Sequence, residues 1–246
     1  MLAVSVGGII VRNTLVGIAT ALVAAAALAT AGPAGAATTQ VVARYDMNET
    51  PGSAVLVDGS GNGLNGTIGS HVVLNGSYHS FPNIKRGNGG TIDPQHLDVV
   101  NSARLNPGTA DFTVTVRLRI PSIAASAGNV MQKGQTGTKG GFWKIQLDDG
   151  KGRILCDFVS PTGSGGVWSA QVIADNRWHT VTCQRSATQV STTVDGITTR
   201  IAHPVGDIAN TVPLTIGGKG SCTATPQHDC DYFIGSIDYV EIQSAG

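Results

Sequence analysis

Glutamate is almost missing from this sequence: of 246 residues, only Glu49 and Glu241 carry it. Charged residues of every kind make up 13% of the chain and aromatic residues 5%. After residue 37 no stretch of Ala, Leu, Glu and Lys keeps a period of 3.6, which excludes a helical bundle. The 16 basic and 16 acidic residues cancel. Without a basic surplus there is no footprint for non-specific nucleic-acid binding, so no nucleic-acid partner is expected. The cysteines form no C-x-x-C pair, which argues against structural zinc. The six histidines (His71, His79, His96, His179, His203 and His228) show no metal-ligand spacing. No G-x-S-x-G elbow is present, although a triad assembled in space would leave no such trace. Glycoside hydrolysis needs two carboxyl groups about 5 to 9 Å apart. Glu49 and Glu241 are remote in sequence, and Asp148-Asp149-Gly150 reads as a turn whose adjacent side chains point apart. Gly61, Gly63 and Gly66 spell G-x-G-x-x-G, but Thr67-Ile68-Gly69-Ser70 opens no helix, so the match is coincidental.

What the sequence does contain begins with a targeting signal. Val16 to Leu28 is almost wholly Gly, Ala, Val, Leu, Ile and Thr, and Arg12 is the only charge before it. Ala34-Gly35-Ala36 then places small residues at the −3 and −1 positions of a secretory cleavage site. Residues 1–36 are therefore expected to form a signal-peptide helix, cut after Ala36 or at Ala37, leaving residues 37–246 as one secreted, extracellular domain. A retained membrane anchor is the alternative, opposed by the short apolar run and its end at Gly32-Pro33. Met1 to Val11 carries no charge, and a start at Val11 would give the signal its usual charged opening. All four cysteines, Cys156, Cys183, Cys222 and Cys230, follow the signal, and an even count in an exported chain predicts disulfides. Of the three possible pairings, the spacing favours Cys222–Cys230 as a local staple and Cys156–Cys183 as a bridge between neighbouring strands.

The rest reads as short strands. Val114, Val116 and Leu118 alternate with Thr113, Thr115, Arg117 and Arg119; Trp143, Ile145 and Leu147 alternate with Phe142, Lys144 and Gln146. Further strands are predicted at 154–159, 179–185, 189–194, 197–201, 213–216 and 232–242, with Asp195-Gly196 as a hairpin turn. Two Gly-rich stretches, 134–141 and 162–166, read as loops. About a dozen such strands, each with one apolar face, imply two antiparallel sheets packed face to face.

The order of motifs is informative. Arg177-Trp178-His179-Thr180-Val181 leads to Val194-Asp195-Gly196, then Leu214-Thr215-Ile216-Gly217-Gly218, then Gly235-Ser236-Ile237-Asp238-Tyr239-Val240-Glu241-Ile242, with Asp58-Gly59-Ser60-Gly61-Asn62-Gly63 near the start. Across residues 41 to 243 this resembles the laminin-G-like members of the concanavalin A-like lectin/glucanase superfamily. The resemblance implies an all-β jelly-roll sandwich with a concave and a convex sheet; the residues themselves are expected to bury Trp178 and Val181 at the sandwich. Relatives of this kind bind glycans or proteins, often with calcium, and some cleave glycans. The compact E-x-D-x-E motif of the related glucanases is absent here.

Candidate sites follow. Asp58 and Asn62 lie in an oxygen-rich, Gly-bearing loop that opens like a calcium loop, although position 12 is Gly69 and not Glu. The resemblance places a second calcium candidate at Asp238 in the last strand, with Asp46 or Asn48 opposite. Arg117, Arg119, Lys144, Gln146 and Asp157 are strand residues that can point outward, and Trp168, expected in a loop, could stack on a sugar ring. The expected function is a secreted, monomeric, non-catalytic binding module for a glycan, with calcium as the only cofactor in view. An extracellular protein-binding or adhesion module is the alternative, and a polysaccharide hydrolase or lyase lacking the usual motif the second. No membrane contact is expected after signal removal, and no organic cofactor.

Overall fold

Period-2 alternation of apolar and polar residues dominates the fold. The computed structural model describes residues 38–83, 97–124, 128–147, 149–220 and 230–245. Residues 1–36, expected to form the signal peptide, and His96, Asp148, Cys222 and His228 lie outside the described residues. In chain order the strands are β1 (Thr39–Tyr45), β2 (Val55–Leu56), β3 (Gly66–Ile68), β4 (Val73–Leu74), β5 (His79–Phe81), β6 (Leu97–Val99), β7 (Phe112–Arg119) and β8 (Asn129–Lys133). They continue as β9 (Phe142–Gln146), β10 (Leu155–Ser160), β11 (Gly163–Trp168), β12 (Trp178–Arg185), β13 (Val190–Val194), β14 (Ile197–Ile201), β15 (Leu214–Ile216) and β16 (Gly235–Ala245). Two single turns of 3-10 helix, Ala103–Leu105 and Ser122–Ala124, are the only helix among the described residues, and none is long and apolar enough to cross a membrane.

The strands form two antiparallel sheets. Sheet I runs β14-β13-β12-β7-β16-β5-β4, with β1 beside the C-terminal half of β16; sheet II runs β11-β10-β9-β8-β15-β6-β3-β2. This is the expected jelly-roll sandwich. Val114, Val116 and Leu118 of β7 face Trp143, Ile145 and Leu147 of the β9 segment in a core that also holds Phe112, Phe158, Phe233 and Tyr45, all buried. Phe112 and Trp143 pack tilted at 5.4 Å. The Asp195-Gly196 turn has positive φ at both residues (46° and 84°), the type I′ geometry that suits a two-residue hairpin.

Three expectations change. Cys156 and Cys183 are bonded, but β10 and β12 lie in different sheets, so the bridge crosses the core and does not link neighbouring strands. Both side chains are fully buried, with Cα atoms 5.5 Å apart. Residues 163–166 belong to strand β11, not to a loop, and Trp168 ends that strand. Gly165 faces the core, where an added Cβ would come within 2.7 Å of Val190; this glycine answers a packing demand, not a turn. Trp178 is half-buried on the outer face, because on β12 it shares a side with Thr180 and Thr182 while His179, Val181 and Cys183 turn inward. Cys230 is disulfide-bonded.

Candidate functional site: an outer sheet face

The outward positions of sheet II line up across the strands. Register places Thr67 beside Asp98, Asp98 beside Thr215, Thr215 beside Gln132, Gln132 beside Lys144, Lys144 beside Asp157, and Asp157 beside Gly166. At a strand spacing of about 4.8 Å the six side chains from Thr67 to Asp157 span about 24 Å. Part of this row lines a cavity of about 520 Å³, with Thr67, Asp98, Gln132 and Thr215 as its floor. Gln135 and Thr138 reach it from the loop after β8, and Val100, Val212 and Pro213 add apolar wall.

The groups differ in how far the protein already engages them. Gln132 Oε1 accepts from Asn129 Nδ2 at 2.8 Å, and Thr215 Oγ1 donates to Gly218 O at 2.9 Å. These bonds fix the side chains and leave the Gln132 amide hydrogens and the Thr215 lone pairs facing outward. Burial pushes the Asp157 carboxyl above its usual range, with the nearby Lys144 ammonium acting against that. Gly166 lets Asp157 lie flat on β11; a Cβ there would sit 3.3 Å from Asp157 Oδ1.

The six predicted ligand residues divide between the two faces of the sandwich. Lys144, Gln146, Asp157 and Trp168 lie on the outer face of sheet II, and Gln146 is almost covered. Trp168 carries the Arg153 guanidinium 5.5 Å from its ring centre, and Arg153 is held by Asp149 at 2.6 Å. Arg117 and Arg119 belong to β7 and project from sheet I, on the opposite side of the molecule. Asp98, Gln132 and Thr215 were not predicted as site residues. The signals were faint: Leu97-Asp98-Val99 is too short to show its alternation, and all five residues of β8 are buried.

The residues expected to hold calcium do not fit one. Asp58 Oδ1 accepts from Arg44 N (3.0 Å) and Ser60 N (2.9 Å), and Oδ2 from Ser60 Oγ and Leu64 N (both 2.9 Å). Four donors occupy the directions a hard cation would need. Despite its burial, these bonds hold the carboxyl below the usual carboxylate range. Asn62 Oδ1 accepts from the Arg104 guanidinium at 2.6 Å. Asp46 is paired with Arg44 at 2.7 Å, and Asp238, at the bulge of β16, with Arg117. Among the described residues no three His, Cys, Asp or Glu side chains converge on a metal position.

A separate charged cluster closes one end of sheet I. His179 is bracketed by two carboxylates: Nδ1 lies 2.7 Å from Asp195 Oδ2 and Nε2 2.9 Å from Asp175 Oδ1. Burial alone would lower the imidazole pKa, but the two aspartates outweigh it and raise it. His179 in turn depresses Asp175 strongly, and Asp195 is depressed by the Thr180 amide and His179 against its own burial.

A laminin-G family, described as the concanavalin A-like lectin/glucanases superfamily, matches residues 91–245. No curated protein matches the sequence. Among solved structures, the binding domain of Paraclostridial Mosquitocidal Protein 1 superposes with a TM-score of 0.57 at 13% identity, over 84% of this chain and 48% of that one. The botulinum neurotoxin serotype D binding domain gives 0.56 at 12%, over 83% and 47%. This chain thus spans about half the length of both. Domain 4 of an extracellular arabinanase from Geobacillus stearothermophilus, solved in complex with arabinotriose, gives 0.54 at 12%, over 84% of this chain and 93% of that domain.

Proposed function

We propose, for a chain that belongs to the concanavalin A-like lectin/glucanases superfamily, that it is a secreted saccharide-binding module whose site is the outer face of sheet II. One observation carries this reading: the row of carboxylate, amide, hydroxyl and ammonium groups across six strands, opening into a cavity with aliphatic walls. A saccharide presents hydroxyls to planar polar partners and C–H faces to apolar ones. Asp98 and Gln132 supply the first, Val100, Val212 and Pro213 the second, and Lys144 and Asp157 extend the row toward β11. The cavity volume falls in the range of small-ligand pockets. The arabinanase domain, which this chain matches over nearly all of that domain's length, holds an oligosaccharide of the kind the row would accommodate.

The test is calorimetric titration with a panel of linear oligosaccharides, arabinotriose among them, comparing the unaltered protein with Gln132→Ala and Asp98→Asn. At least one oligosaccharide is expected to bind, and each substitution to weaken it about tenfold, the loss of one hydrogen bond to a charged or buried partner. Unchanged affinity in both variants would remove the site from sheet II; no binding across the panel would shift the reading to a protein partner. Because Asp58 and Asp238 are engaged by the chain itself, millimolar calcium and EDTA are expected to give the same thermal midpoint. A calcium-dependent rise would overturn the hydrogen-bonded reading of the Asp58 loop.

A further inference from the structure

On the opposite side of the molecule a second row crosses sheet I. Register sets Trp178 beside Arg119, Arg119 beside Ser236, Ser236 beside Ser80, and Ser80 beside Val73. The Arg119 guanidinium lies 5.2 Å from the centre of the Trp178 ring and 5.5 Å from that of Tyr78, and the two rings meet edge to face at 5.4 Å. Arg117 also stacks on Trp178, at 5.0 Å, but its charge is answered by Asp238. The other nearby acid, Asp175, is taken by Arg177 and His179. Arg119 has neither an acidic partner nor a hydrogen-bond acceptor among the described residues.

Arg119 also lines a cavity of about 300 Å³. Ser80, Ser236, Asn83 and Asn176 give it hydroxyls and amides, and Ile123, 80% exposed, gives it an apolar lip. Ser80 Oγ and Ser236 Oγ are 3.2 Å apart. When one donates to the other, the pair keeps one O–H hydrogen for a third party. The floor at Gly235 is closed to any side chain: a Cβ there would meet Arg119 O at 2.5 Å and the Phe233 ring at 2.6 Å.

The geometry points to a second ligand site on sheet I, in which Arg119 binds an anionic oxygen group, a carboxylate or a sulfate ester, carried on a single polyhydroxylated ring. A guanidinium held against two aromatic rings has less freedom left to lose, and its fork matches two oxygens of such a group at once. The two serines and two asparagines address ring hydroxyls, and Ile123 packs on the C–H side. The cavity is at the small end of ligand pockets, which fits one ring and not a chain. This site stands apart from the sheet II groove and does not depend on it.

The test is an NMR titration of the protein with D-glucuronate, D-glucose 6-sulfate and D-glucose, followed at the Arg119 Nε–H and Trp178 indole N–H signals. Saturable shifts are expected with at least one of the two anions, and none with glucose; the tighter anion identifies carboxylate or sulfate. Arg119→Gln is expected to weaken the response about tenfold or more, and Arg119→Lys to restore only part of it, since an ammonium cannot reproduce the fork. The proposal is overturned if neither anion shifts these signals, if glucose shifts them equally, or if Arg119→Gln leaves the response unchanged.

Discussion

At the scale of single residues, His179 ties stability to pH. Its folded-state pKa stands above the ordinary 6.5, so the stability it contributes is complete below about 6.5 and lost as pH rises through the raised value. Asp175 and Asp195 are depressed below 3.8, so theirs is complete above about 3.8 and lost as pH falls through the lowered values. The expected curve of thermal midpoint against pH has a plateau between these limits. His179→Gln is expected to remove the decline on the alkaline side, which a pH series of melting curves would check. Lys133 is another unusual cation. It is fully buried on the inner side of β8, with Nζ within 3.1 Å of Asn101 Oδ1, Asn210 O, Asn210 Oδ1 and Val212 O. Burial lowers its pKa to about 8. Lys133→Met would strand those oxygens, and a loss of about 1–3 kcal/mol is expected in urea unfolding.

At the scale of strands, alternation was legible and parity was decisive. β7, β9, β10, β12, β13, β14 and β15 stand within a residue or two of the predicted segments because apolar residues alternate along β7 and β9 and the others are runs rich in β-branched, apolar and aromatic residues between turn residues. The short strands β2 to β6 hold two or three residues each, too few to show a period. β8 escaped because both its faces are covered, and buried Asn129, Gln132 and Lys133 look in sequence like a surface. Glycine hid β11, since strand propensity counts Gly as a breaker whereas Gly165 is there to admit Val190 and Val205. Gly165→Ala is expected to cost about 1–3 kcal/mol from overpacking, measured as a lower denaturation midpoint with an unchanged slope. Placing Trp178 and Val181 together in the core failed on parity alone: three residues apart on a regular strand, they face opposite sides.

At the scale of the whole molecule, the sequence shows which residues of a strand point the same way but not which sheet the strand joins. Hence Arg117 and Arg119 were grouped with Lys144 and Asp157, although the entire sandwich lies between them. The same blindness applied to the disulfide, whose span of 27 residues is compatible with neighbours in one sheet or with partners across a core. Joining the sheets, the bond constrains the unfolded chain by about 3–4 kcal/mol in the loop-entropy estimate. The Cys156→Ala/Cys183→Ala double variant is expected to unfold at correspondingly lower denaturant, with the hairpin of β13 and β14 intact in the folded form.

The pairing of β1 with β16 has a mechanical consequence. Thr39 stands opposite Ala245, and the ladder runs from there inward to Tyr45 and Val240. A load applied between these two outer ends does not shear the sandwich. It opens the ladder from its tip one rung at a time, each rung giving way before the next is stressed. Stretched at these points, the domain would yield by peeling its first strand while sheet II and the cross-core bond stay unloaded, so tension would reach the groove last.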